Sequence, residues 1–252
     1  MDRLKARHTP RTAVVWSILT TELETALDCG GPDEPCRIVD VGGGTGGFAV
    51  PLAEAGYDVT VVDTSPNALA GLTRRAADAG VADRIRAIQS DAHTLDDVVE
   101  AGTARLVLCH SVLEMVDSPR ESIAAMSRVL APGGALSLLV ANRAGAVLAR
   151  AITGQLSAAT TILTDPDGSG TADTLLRRFD PDSLGGLVTE GGLVLERLHG
   201  IQIAADLAAG FRDGEPGAAE AMREFELTVA ARPPYRDIAT QLHGLARKPP
   251  AT

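Results

Sequence analysis

A glycine-rich stretch, GGGTGG at 42–47, directly follows an apolar run in this 252-residue sequence. Glycine tolerates positive φ and lets a backbone approach a ligand closely, and free N–H groups at the start of a following helix face that ligand. The stretch therefore predicts a nucleotide-type cofactor site. Two registers fit, namely G-x-G-x-x-G at Gly42, Gly44 and Gly47, and D-x-G-x-G-x-G at Asp40, Gly42, Gly44 and Gly46.

Two acidic residues narrow the choice of cofactor. Asp40 suits a cationic ligand, because a carboxylate attracts an ammonium or a sulfonium and repels a pyrophosphate. It therefore favours S-adenosylmethionine (SAM) over NAD. Asp63 ends the next apolar run, where a carboxylate can accept two hydrogen bonds from a ribose diol. Asp63 indicates an adenosine cofactor without choosing between the two.

Alternating segments must position these residues. Five apolar runs predict strands at 36–41, 58–63, 84–89, 104–110 and 135–142. Helical patterns lie at 12–27, 45–56, 65–80 and 118–134. The last two start with Ser-Pro, a cap residue followed by a favoured first helical residue. Short connections between alternating elements predict a parallel sheet with helices on both faces.

The second half has a different pattern. We predict helices at 143–163, 180–192 and 215–234, a polar loop at 164–173, and strands at 193–203 and 238–248. The Pro-Pro-Tyr at 233–235 resembles part of an amine-methylating motif, but it precedes the last strand instead of following the fourth. We interpret it as the end of a helix.

Composition limits the possible partners. The net charge of −10 and the 3% of aromatic residues argue against broad phosphate-backbone binding and against a base-stacking platform. No apolar run approaches the length of a membrane span, and the start of the sequence lacks a signal-peptide pattern. Three cysteines without metal-ligand spacing, Cys29, Cys36 and Cys109, indicate reduced thiols. We expect a cytoplasmic protein without membrane or metal partners.

Four ordered features together resemble class I SAM-dependent methyltransferases. They are the Asp40–Gly46 motif, Asp63, Asp91 in QSDAH after the third strand, and VLAPGG at 129–134. The resemblance implies a Rossmann-like seven-stranded sheet whose last strand is antiparallel. It also implies SAM as cofactor, with Asp91 near the adenine amino group. We add the neighbouring Thr64 and Ala92 to the predicted cofactor contacts.

A closer resemblance extends along nearly the whole chain. The stretches at 11–16, 106–139 and 233–249 are similar to the bacterial tRNA 5-carboxymethoxyuridine methyltransferase family, which methylates a carboxylate on the wobble uridine. This resemblance implies that Arg11 reaches the SAM carboxylate and that His110 faces both cofactor and acceptor. A hydroxyl acceptor would need a general base, for which His110 is the best candidate, whereas a carboxylate needs none. Cys109 lies in a buried-strand pattern, which predicts that its side chain packs in the core.

The residues expected near the methyl acceptor differ from those of that family. Ala141 replaces an aromatic residue, Gln202 a basic residue, and Thr240 an arginine. The acceptor is therefore either tRNA or a small molecule, methylated on oxygen. Two alternatives stay open, namely a SAM-binding protein that transfers nothing and an NAD-dependent oxidoreductase. The latter has only the glycine register in its favour, because no Tyr-Lys or His-Arg catalytic set is evident.

The resemblance implies a single methyltransferase domain over residues 1–252. We divide it into an N-terminal helical cap at 1–35, a SAM-binding core at 36–142, an acceptor-side lid at 143–192, and C-terminal strands and a helix at 193–252.

Overall fold

The computed structural model describes residues 12–29, 36–165, 175–204 and 217–251. Its strands are β1 Arg37–Val41, β2 Asp58–Asp63, β3 Ile85–Gln89, β4 Ala104–His110, β5 Leu130–Ala141, β6 Val194–Ile201 and β7 Gln241–Arg247. Its α-helices are α1 Ala13–Cys29, α2 Ala49–Glu54, α3 Pro66–Asp78, α4 Pro119–Val129, α5 Arg143–Ile152, α6 Leu156–Thr164, α7 Pro181–Glu190 and α8 Ala218–Val229. Three 3₁₀ turns are Ala82–Arg84, Ala92–Asp97 and Arg236–Ile238.

The seven strands form one sheet in the order β3-β2-β1-β4-β5-β7-β6. Strands β1 to β5 pair in parallel, and β7 pairs antiparallel with both β5 and β6. The predicted class I sheet with an antiparallel last strand is thus confirmed. Strand order reverses at β1, whose neighbours are β2 and β4, and the carboxyl end of such a switch point is where open α/β sheets bind ligands.

Each face of the sheet is covered by its own apolar cluster. One cluster joins α1, α2 and α3 to the sheet through residues such as Leu19, Leu52, Leu72, Val61 and Leu108. The other joins α4 and α7 through residues such as Ile123, Met126, Val188, Val107 and Leu136. Burial on both faces explains why the central strands are continuous Val/Ile/Leu runs.

The two Ser-Pro starts behave as predicted. The hydroxyl of Ser65 accepts a hydrogen bond from the backbone N–H of Ala68, and the hydroxyl of Ser118 accepts one from Glu121. Pro66 and Pro119 take the first helical position of α3 and α4. These caps fix where each helix starts and therefore how the preceding strand ends.

Several predicted boundaries were wrong, and glycines account for most of the errors. The helix predicted at 45–56 begins only at Ala49, because the preceding glycines adopt positive φ and form turns. The helix predicted at 118–134 ends at Val129, since β5 already begins at Leu130 and its register with β4 shifts across the Pro-Gly-Gly segment. The helical region at 143–163 is two helices, separated at Gly154 with φ +76°.

Other differences are smaller. The last strand begins at Gln241 instead of 238, because Arg236–Ile238 is a 3₁₀ turn. Residues 166–173 of the predicted polar loop lie outside the described residues. Within the described part, no helix is both long and apolar enough to cross a membrane. The division into cap, core, lid and C-terminal part stays a prediction.

Candidate functional site

The glycine loop after β1 forms the centre of the site. Gly42, Gly44 and Gly46 have φ values of +68°, +55° and +82°, which L-residues rarely adopt. A Cβ atom on Gly42 would lie 2.2 Å from Cγ2 of Val112, whereas the space beside Gly44 is open. The loop therefore presents bare backbone towards the carboxyl edge of the sheet, at the switch point between β2 and β4.

Asp63 holds this loop from the end of β2. Its Oδ2 atom accepts a hydrogen bond from the backbone N–H of Gly44 at 2.9 Å, and its Oδ1 atom accepts one from Ser65 at 2.8 Å. A carboxylate has about four lone-pair sites, so acceptor capacity remains on both oxygens. That capacity suits the two hydroxyl groups of a ribose.

Asp40 lies beneath the same loop and is 2% exposed. Its Oδ2 atom has no hydrogen-bond partner, and a Cβ atom on Gly43 would come within 2.5 Å of it. Burial and, to a smaller extent, the negative charge of Asp63 raise the pKa of Asp40 to about 7. A buried acceptor without a partner fits a cationic group, such as the ammonium of SAM, which would favour the ionised carboxylate.

A cleft of about 320 Å³ opens at the carboxyl ends of β1 to β4. It brings together five of the predicted cofactor residues, namely Gly42, Asp63, Thr64, Asp91 and Ala92. Ser111, Val112 and Met115 line its other wall, from the loop after β4. Asp40, Gly44, Gly46 and His110 are not among the residues that line the cleft. Arg11 is outside the described residues.

Asp91 begins the 3₁₀ turn after β3. Its carboxylate accepts a hydrogen bond from the backbone N–H of His93, and the ring Nδ1 of His93 lies 2.8 Å from the same oxygen. Sequence reasoning missed this His93 contact, although the D-x-H spacing in QSDAH could have suggested it. The contact orients Asp91 at the rim of the cleft.

His110 ends β4 and is partly buried. Its Nε2 lies 2.9 Å from the hydroxyl of Ser137 on β5, and the ring of Phe48 meets it edge-on with 4.6 Å between centroids. Its Nδ1 is buried and has no partner. Burial lowers the pKa of His110 to about 3, so the imidazole is neutral at pH 7. The predicted role of His110 in catalysis stays a prediction.

The loop after β4 is held by buried polar contacts. Glu114 is 2% exposed, and its Oε1 accepts a hydrogen bond from the backbone N–H of Ala141 at 2.6 Å. The guanidinium of Arg177 donates to the carbonyl oxygens of Leu113, Val116 and Asp117. Sequence reasoning missed Arg177, which no local motif marks. Together these contacts fix the cleft wall that carries Ser111 and Val112.

Neutral side chains lie at the edge of the sheet, just past the ends of β4 and β6 and at the start of β7. The amide of Gln241 donates to Ser111 Oγ at 3.3 Å, and the amide of Gln202 donates to Gln241 Oε1 at 3.5 Å. Thr240 donates to the carbonyl of Gln202. Ser111 and Gln202 have φ values of +58° and +60°, and such backbone strain clusters at functional sites.

Two further predictions concern groups without a role in the cleft. Cys109 is fully buried on β4, and burial raises its pKa far above the ordinary thiol value, which matches the expected core packing. No cluster of three or more potential metal ligands occurs within the described ranges.

Comparisons with known proteins find methyltransferases. A family model described as "Methyltransferase domain" matches residues 39–138. A "tRNA 5-carboxymethoxyuridine methyltransferase" from Escherichia coli (strain K12) is 27% identical over 245 residues, which is 95% of this chain and 88% of the relative. A "Ubiquinone biosynthesis O-methyltransferase" from Caulobacter sp. (strain K31) is 32% identical over 123 residues, about half of each chain.

A solved structure supports the fold. A SAM-dependent methyltransferase from Methanosarcina mazei superposes with a TM-score of 0.58 at 17% identity, over 87% of this chain and 95% of the other. At that identity the likeness concerns the fold alone. The sequence matches therefore confirm the methyltransferase assignment, which implies SAM as the methyl donor, and the superposition confirms the class I fold.

Proposed function

Because this chain is a SAM-dependent methyltransferase with the class I fold, we propose that it transfers the methyl group to a carboxylate oxygen. The carboxymethoxy group of a modified tRNA wobble uridine is the first acceptor candidate. This candidate rests on the relative whose similarity extends over 95% of the chain. The O-methyltransferase that matches about half of the chain also favours oxygen as the acceptor atom.

The observation that carries the proposal is the state of His110. A hydroxyl acceptor needs a general base with a pKa near the working pH. His110 is the candidate base, but Ser137 occupies its Nε2, its Nδ1 is buried, and burial lowers its pKa to about 3. A carboxylate is already ionised at pH 7. A carboxylate acceptor is thus the oxygen nucleophile that needs no general base from this site.

Within the proposal, three aspartates hold the cofactor. Asp40 faces the ammonium, Asp63 the ribose hydroxyls, and Asp91, with Thr64 and Ala92, the adenine end of the cleft. The bound cofactor supplies a methyl group on a cationic sulfonium that is already activated. The chain's own task is orientation, which for well-aligned reactants contributes on the order of 7–11 kcal/mol. Arg11 is assigned the cofactor's carboxylate by resemblance.

The segment 143–192 is proposed as the wall of the acceptor site. It follows β5 at the carboxyl edge, and its residue Phe179 exchanges backbone hydrogen bonds with Ala141 and Arg143. Its residue Arg177 holds the loop after β4. An acceptor bound against this segment would therefore lie over the ends of β4 and β5.

A small carboxylic acid is the second candidate acceptor. The net charge of −10 disfavours a polyanionic RNA. Gln202 and Thr240, which replace basic residues of the tRNA-modifying family, lie in the neutral edge next to Ser111. A cytoplasmic location, where tRNA and such metabolites occur, is part of the proposal.

Nucleoside composition in cells tests the acceptor. Total tRNA from cells with and without the gene would be digested and the wobble uridines compared by mass spectrometry. We expect the methyl ester of 5-carboxymethoxyuridine to disappear without the gene and to return with the wild-type chain but not with D63A. Unchanged tRNA would refute the first candidate and turn the same comparison to methyl esters of small acids.

A further inference from the structure

We propose that Ser137 and His243 are positioning residues that fix the imidazole of His110 in one orientation and couple its neutral tautomer to that of His243. That His110 faces the cofactor and the acceptor is implied by the resemblance, so the effect on methyl transfer rests on the proposed function above. The coupling between the three side chains rests on their geometry alone.

The three side chains form a hydrogen-bonded row across the sheet. They come from β4, β5 and β7 and lie on the same face. Ser137 Oγ is 2.9 Å from Nε2 of His110 and 2.8 Å from Nε2 of His243. Both Ser137 and His243 are fully buried. The row thus extends from the end of β4 into the core.

Proton counting couples the two rings. A serine hydroxyl has one proton, so Ser137 can donate to only one of the two Nε2 atoms. The other Nε2 carries a proton and donates to Ser137 Oγ, since two lone pairs facing that oxygen would leave a buried contact unmade. Two protonated Nε2 atoms would instead leave the buried hydroxyl proton without an acceptor among the contacts of Ser137. While the rings are neutral, His110 and His243 therefore carry their protons on different nitrogens, one on Nε2 and the other on Nδ1.

Two arrangements satisfy this count. In one, Ser137 donates to Nε2 of His243 and accepts from Nε2–H of His110, and in the other it donates to His110 and accepts from His243. Nδ1 has no hydrogen-bond partner in either ring. In both arrangements the tautomer of His243 determines the tautomer of His110.

A third imidazole ring, which lies beyond His243, is neutral as well. The ring of His199 on β6 lies 5.9 Å from that of His243, and burial lowers the pKa of His199 to about 4, helped by the charges of Arg197 and Arg236. An imidazolium beside a sulfonium would be repelled. A neutral His110 held by Ser137 on one side and Phe48 on the other avoids that repulsion and keeps a fixed wall at the end of β4.

Nitrogen-15 NMR of the histidine rings tests the coupling without cofactor or acceptor. In the wild-type chain at pH 7.5 we expect one of the two rings, His110 or His243, to carry its proton on Nε2 and the other to carry it on Nδ1. If both rings carry the proton on the same nitrogen, the proposal is wrong, whatever the enzyme methylates.

Variants of the central serine test the consequence for transfer. S137A is expected to mix the tautomers of His110 and to lower kcat about tenfold, with the Kd for SAM within twofold of wild type. S137T retains the hydroxyl, and we expect it to restore the unmixed tautomers and the wild-type kcat. S122A removes another fully buried serine hydroxyl, on α4, and controls for general loss of stability. Equal kcat and unchanged tautomers in S137A and S122A would overturn the positioning role.

Discussion

Asp63 Oδ2 lies 2.9 Å from the backbone nitrogen of Gly44, which joins the end of β2 to the glycine loop after β1. The same carboxylate accepts from Ser65 at the start of α3. One side chain thus fixes both walls around the predicted ribose position. The loop is held in shape before a cofactor arrives, so less ordering remains to be done on binding.

The first prediction concerns this carboxylate. D63A removes the predicted ribose contacts and releases the loop, and we expect the Kd for SAM to rise at least about tenfold, since a hydrogen bond to a charged group contributes roughly 1.5–3 kcal/mol. Titration calorimetry measures it. D58N is the matched control, because Asp58 starts the same strand, is exposed and pairs with Arg84 at the far edge. Unchanged affinity in D63A would remove Asp63 from the site.

The second prediction separates backbone strain from loss of ligand space. Gly44 and Gly80 both have positive φ, and a Cβ atom has no close contact at either position. G44A and G80A should therefore destabilise the fold similarly, by roughly 1 kcal/mol. Only G44A places a methyl group in the predicted cofactor space, so only G44A should lose SAM binding. Equal SAM affinity in the two variants would argue against the glycine loop as the cradle.

The third prediction concerns Asp40, whose pKa is raised to about 7. Between pH 4 and 7 the native state binds a proton here that the unfolded state has released, so this group lowers the free energy of unfolding as pH rises. The loss amounts to roughly 3–5 kcal/mol at pH 8. D40N should remove it and unfold at higher temperature than wild type at pH 8, with less difference at pH 5.

The same variant should bind SAM more weakly. A neutral amide cannot attract the ammonium as a carboxylate does, and we expect the Kd to rise more than tenfold at pH 8. Higher stability with weaker binding would identify Asp40 as a group kept for function at the expense of stability. Unaltered SAM affinity in D40N would contradict the assignment of Asp40 to the methionine end.

The fourth prediction concerns acid stability. Burial lowers the pKa of His110 to about 3 and that of His199 to about 4, and lowers that of His243 as well. Below pH 6.5 the unfolded chain binds protons at these three sites that the native chain does not. The three histidines outweigh the opposite contribution of Asp40 over the same range, so the free energy of unfolding should fall as pH drops from 6.5 towards 4. Denaturant unfolding at pH 7, 6 and 5 measures this slope, and H199Q should make it shallower.

The sequence anticipated the fold because its signals were local. Ser-Pro caps, apolar runs and glycine turns each act within a few residues, and they located the sheet, its helices and the cleft that Asp63 and Asp91 line. Helix ends were less predictable, since the register shift after Val129 depends on pairing with β4. The row of His110, Ser137 and His243 could not be predicted, because its members are 27 and 106 residues apart.

The most direct measurement incubates the purified chain with methyl-labelled SAM and tRNA that contains 5-carboxymethoxyuridine, and then treats the tRNA with mild alkali. A methyl ester releases its label as methanol under those conditions, whereas ether and nitrogen-bound methyl groups do not. We expect label in the tRNA from wild type but not from D63A, with nearly all of it released by alkali. Label that resists alkali, or labelling of tRNA that lacks the carboxymethoxy group, would contradict methyl transfer to a carboxylate.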